Sequence, residues 1–65
     1  MVTVNGNEVG FVEGETLSAL ILRCGFSGGR IAAEVNGRIV PRARHDEYVV
    51  GKDDRIEIVG LIGGG

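Results

Sequence analysis

The chain has 65 residues, 43% hydrophobic and 25% charged, with a formal net charge of −2. It is too apolar for a disordered segment and too short for two domains, and its acidic, evenly mixed charge argues against nucleic acid or anionic membrane as a partner. So small a domain has little room for a deep cavity ringed by catalytic side chains, so its chemistry is expected to need a partner protein.

The longest apolar stretch, Ala19 to Leu22, is far below the roughly 20 residues that cross a bilayer, and no basic segment leads into an apolar run at the start. The expectation is a cytoplasmic protein. The lone Cys24 excludes an internal disulfide and a multi-thiolate metal site, in keeping with a reducing compartment.

Met1 to Asn5 alternates as a half-buried strand, with Val2 and Val4 on one face. Asn5-Gly6 suits a tight hairpin into a second strand, on which Val9 and Phe11 share a face. Thr16 is the expected N-cap of a helix, with Glu13 and Glu15 placed near its positive end. Leu17, Leu20, Ile21 and Cys24 form its apolar stripe, and Gly25 offers the stop.

After a loop around Gly28-Gly29, Ile31, Ala33 and Val35 mark a third strand, and Asn36-Gly37 turns into a short piece, Arg38 to Val40, ended by Pro41. Arg42 to Tyr48 reads as irregular or short helical structure. The last strand runs from Arg55 to Leu61, with Ile56 and Ile58 facing the core.

This order implies an α+β fold: a mixed sheet with one helix packed on one face, its terminal strands parallel and joined through a right-handed crossover. That is the β-grasp, or ubiquitin-like, arrangement. Residues 1–62 are expected to form this single domain and residues 63–65 a flexible glycine tail.

Gly63, Gly64 and Gly65 are informative because they follow a strand. A terminal carboxylate, with an ordinary pKa of about 3.3–3.7, is an anion at neutral pH and able to attack the α-phosphate of ATP. To reach a nucleotide held inside another protein it must ride on a thin strand, which Gly63 and Gly64 provide. Taken alone, a glycine-rich end is more often just a frayed one. In this chain order it reads as a reagent, with Gly65 as the reactive group and no catalytic residue beside it.

The segment Val35-Asn36-Gly37-Arg38-Ile39-Val40-Pro41-Arg42, the strand Asp54-Arg55-Ile56-Glu57-Ile58-Val59 and the end Gly64-Gly65 resemble the ThiS family of thiamine-biosynthesis sulfur carriers, in order and spacing over essentially the whole chain. The resemblance implies a carrier rather than an enzyme. A ThiF-type enzyme would adenylate it with ATP, a sulfur donor such as a cysteine desulfurase would supply sulfur for a C-terminal thiocarboxylate, and thiazole synthase would accept that sulfur. No cofactor is expected on the chain itself. His45 stands where family members often have Trp, and Gly63 makes the tail a triple glycine. The related molybdopterin-synthase small subunit commonly has Pro-Pro before its glycines, whereas Leu61-Ile62 stand here, which favours the thiamine branch. Carriers for molybdopterin, cysteine or another product, and a ubiquitin-like protein modifier, are the alternatives.

Val59 and Leu61 alternate with the core residues, so they, with Ile62 and Arg42, are candidates for partner binding. The competing reading packs them under the loop that contains Tyr48. Arg38, Arg42 and Arg44 form a local basic patch, able to steer an acidic partner but more often merely solvated. Cys24 is expected to be core and His45 a solvated loop residue, with no metal site. Gly51-Lys52 and Ser27-Gly28-Gly29 lack phosphate-loop spacing, so ATP belongs to the partner.

Overall fold

The computed structural model describes residues 1–27 and 30–60. The expected Gly28-Gly29 loop and the expected tail, with Leu61 and Ile62 before it, lie outside the described residues. The order is β1 (Val2–Val4), β2 (Asn7–Val9), α1 (Leu17–Arg23), β3 (Ile31–Val35), β4 (Arg38–Val40), a 3-10 turn at Arg42–Arg44, and β5 (Arg55–Gly60). The strands lie in the order β2-β1-β5-β3-β4, with β1 and β5 parallel and the other neighbours antiparallel. This is the β-grasp sheet.

Both hairpins turn on an Asn-Gly pair in the left-handed region, with φ of 51° and 84° at Asn5-Gly6 and 54° and 84° at Asn36-Gly37. Two successive positive φ values give the turn whose twist matches that of paired strands, which is why Asn-Gly specifies it. Register follows from the turns: Val4 faces Asn7, and Val35 faces Arg38.

The helix begins where its cap predicts. Thr16 is extended, and its Oγ1 accepts a bond of 3.2 Å from the Ala19 amide. Leu17 and Leu20 are wholly buried and Ile21 nearly so, against Val2 and Val4 of β1, Ala33 and Val35 of β3, and Ile56 and Ile58 of β5. Cys24 is half-buried at the C-cap and packs against this cluster. The acidic residues before the helix do not occupy its first turn: Glu15 instead holds Arg23 in a two-pronged ion pair, at 2.8 and 3.0 Å.

The second strand is shorter than its alternation suggests. The ladder ends at Val2 opposite Val9, and Phe11 beyond it is 45% exposed rather than sharing a buried face with Val9.

The segment after Pro41 departs furthest from expectation. His45 is not solvated; it is buried at 6% exposure, with Nε2 3.0 Å from the Val40 carbonyl oxygen. A carbonyl only accepts, so that nitrogen carries the proton. The backbone here also closes the core: Ser18 N donates to His45 O, Leu17 N to Tyr48 O, and Val50 N to Glu15 O, with Val50 buried at 3%. The charged run from Arg42 to Glu47 is thus a lid over the helix start whose inward residue is the histidine.

Candidate functional site

The strand expected to present the reactive end is the central one. On one side, β3 pairs with β5 from Val35 opposite Ile56 to Ile31 opposite Gly60. On the other, β1 reaches only to Val4 opposite Ile56, and Asn5 N donates to Ile56 O at 2.8 Å. The strand ladder ends there, yet the next pair of backbone groups is still satisfied. Asn5 Oδ1 accepts from Ile58 N at 2.7 Å, and Asn5 Nδ2 donates to Ile58 O at 3.0 Å. The side-chain amide stands in for a peptide group of the strand that has stopped.

A similar device sits at the other end of β5. Asn36 Oδ1 accepts from Arg55 N at 2.9 Å, and its Nδ2 donates to Asp54 at 2.9 Å. Asp54 also accepts from Tyr48 Oη at 2.8 Å and Gly51 N at 2.7 Å. Burial pushes the Asp54 carboxyl up, but the bonds from Gly51, Tyr48 and Asn36 outweigh it and hold its pKa below the ordinary value. Burial, and then the bond to Asp54 and its charge, pushes the Tyr48 phenol up to about 12. Each turn asparagine therefore clasps β5, one at its start and one near its end.

Of the partner-binding candidates, Val59 and Arg42 fall among the described residues, and Leu61, Ile62, Gly63, Gly64 and Gly65 outside them. Val59 is 54% exposed and lies opposite Ala32 on the sheet face away from the helix, so it does not pack under the loop of Tyr48. Ile39, 74% exposed, shares that face, as do Glu34 and Glu57, which stand directly opposite one another. Arg42 is not brought to Val59. It borders a hollow on the helix side with Ser18, Leu22 and His45.

The basic patch also divides: Arg38 and Arg44 line a separate hollow of about 640 Å³ with Val40, Pro41 and Tyr48. Ser18 Oγ donates to the Asp46 carboxylate, which fixes the far rim of the lid. Among the described residues no three His, Cys, Asp or Glu side chains converge as a metal site requires. The arrangement is a central strand clasped at both ends, with a sheet face beside it that carries Glu34, Glu57, Ile39 and Val59.

Sequence reasoning did not find the role of Asn5 beyond its turn. The signal was present in the Asn-Gly pair, but its target lies 53 positions away and is set by the strand order.

The model of the ThiS family matches residues 2–65. The chain belongs to the ThiS family. ThiS proteins are small sulfur carriers of thiamine biosynthesis, not catalysts. A ThiS crystal structure from Geobacter metallireducens superposes with a TM-score of 0.77 at 27% identity, covering 98% of this chain and 97% of that one. Two curated relatives are thiazole synthases, from Paramagnetospirillum magneticum and Magnetococcus marinus, each 37% identical over 62 residues. Those residues are 95% of this chain but 19% of each relative, so this ThiS chain spans under a fifth of the length of these two relatives.

Proposed function

We propose that this ThiS chain delivers sulfur to thiazole formation through a thiocarboxylate at Gly65, made by a ThiF-type enzyme and consumed by thiazole synthase. The observation that carries the reading is that two thiazole synthases contain a 37% identical module as a small part of their own length. Joining a carrier to the enzyme it serves turns their encounter into an intramolecular one at high effective concentration. A module of the same family is read as serving the same acceptor.

In the first step a Gly65 carboxylate oxygen attacks the α-phosphorus of ATP, forming the acyl-adenylate and releasing pyrophosphate. In the second, the outer sulfur of a persulfide on a donor such as a cysteine desulfurase attacks the glycyl carbonyl, and AMP leaves with the carboxylate's former oxygen. A thiol then attacks the donor-side sulfur of the resulting acyl disulfide, forming a disulfide with the donor and releasing the tail's sulfur as an anion. The product is a thiocarboxylate. Glycine suits both steps because no Cβ crowds the carbonyl. The catalytic groups and the nucleotide pocket belong to the partner; this chain supplies the tail and a surface to grip, for which Val59 on the open face is the first candidate and Leu61, Ile62 and Arg42 the others.

The test is mass spectrometry of the intact chain after incubation with a ThiF-type enzyme, ATP and a sulfur donor. A gain equal to one oxygen-to-sulfur exchange, absent when Gly64 and Gly65 are deleted, supports the reading. No gain while the enzyme adenylates its own carrier overturns it. Thiazole formation dependent on the loaded chain then identifies the acceptor.

A further inference from the structure

We infer that Asn5 is a positioning residue for the reactive end: its side chain fixes the path on which β5 leaves the sheet, and so the approach of the tail to an activating enzyme. The inference rests on the carrier reading and adds to it a residue 60 positions from Gly65 in the sequence.

The geometry sets Asn5 apart from an ordinary turn asparagine. Its backbone, at φ 51°, makes the hairpin, and its own N–H extends the ladder to Ile56. Its side chain then satisfies both the N–H and the C=O of Ile58, at 2.7 and 3.0 Å, in a part-buried setting where those groups would otherwise have no strand to pair with. Without that amide, β5 from Ile58 to Gly60 keeps β3 on one side only. A strand end held on both sides up to Ile58 enters a partner already directed. One held on a single side must be ordered on binding, at a cost in affinity.

Both asparagines have a positive φ, so glycine at either position keeps the turn while removing the side-chain bonds. Asn36→Gly strips β5 of its clasp at Arg55 and Asp54, at the opposite end of the strand from the exit. A structural contribution alone affects the two variants alike. Positioning affects only one.

The experiment measures carrier-dependent pyrophosphate release by a ThiF-type enzyme, with wild type, Asn5→Gly and Asn36→Gly each confirmed folded by circular dichroism at the assay temperature. The expected result is a KM for the carrier raised about fivefold in Asn5→Gly with kcat within about twofold, and a KM in Asn36→Gly near wild type. Amide exchange at Ile58 should quicken in Asn5→Gly while that of Leu20 does not. Equal changes in both variants, or an unchanged KM in Asn5→Gly, overturn the inference and leave the carrier reading standing. A wild-type chain that is not adenylated overturns both. Should Asn5→Gly not fold, Asn5→Asp keeps the left-handed backbone but sets a carboxylate oxygen against the Ile58 carbonyl, and its KM is read in the same way.

Discussion

Gly60 closes β5 opposite Ile31, and nothing among the described residues demands a glycine there: its backbone is not left-handed, and an added Cβ would meet none of their atoms within 4 Å. Gly60→Ala should therefore raise stability, by about 0.5–1 kcal/mol, because alanine gives up less chain entropy on folding. If the strand end threads into an activating enzyme, the same methyl should lower adenylation by about tenfold, the effect of overpacking a close-fitting channel by roughly 1.4 kcal/mol. Urea denaturation and pyrophosphate release, run side by side, check whether the two properties move in opposite directions.

The Tyr48–Asp54 pair predicts how stability varies with pH. The Asp54 pKa is lower folded than the ordinary 3.8, so its contribution is present above that value and fades as pH falls below it through the folded pKa. Tyr48 runs the other way: raised from 10.0 to about 12, it contributes below pH 10 and loses that contribution as pH climbs toward 12. Tyr48→Phe should cost about 1 kcal/mol at neutral pH and flatten the alkaline limb of a plot of urea midpoint against pH. Asp54→Asn should flatten the acid limb.

At the scale of elements, helix and lid depend on each other. The seven-residue helix is too short to hold itself in water, so its stability comes from its buried face and cap. Leu20→Ala, at a site with no exposure, should cost about 3 kcal/mol, and Thr16→Ala about 1 kcal/mol. Thermal melts of the two variants should rank in that order. The helix, its cap and its apolar stripe were legible because each is local, written within nine consecutive positions, Thr16 to Cys24. The two Asn-Gly hairpins were legible for the same reason. The lid was not. Between Arg42 and Glu47 four of the six residues are charged, so the pattern points to solvent, and His45 is drawn inside by a bond to Val40 and by the start of α1, whose free amides need closing. Phe11 was misplaced because the extent of β2 is set by its pairing with β1, which reaches only to Val9.

For the whole molecule, the sheet order follows from simple needs: two hairpins, one crossover helix, and a last strand that must fill the centre. The fold was therefore readable from element order. What the sequence withheld is which surfaces share a side. Val59 and Arg42, grouped as candidates by proximity to the tail and by charge, stand on opposite faces of the sheet. A partner that grips the open face should lose affinity on Val59→Asp, by about 1–2 kcal/mol, with the melting temperature unchanged because the side chain is half in water already. Arg42→Ala should leave that affinity within about twofold. Titration calorimetry against a ThiF-type enzyme separates the two.

The pairing of β1 with β5 joins strands more than fifty positions apart, so the core stays open until Ile56 and Ile58 arrive. The first hairpin therefore has nothing to close upon until the residues through Ile58 have been made, and a nascent chain broken off before Ile56 has neither a finished interior nor a strand to present.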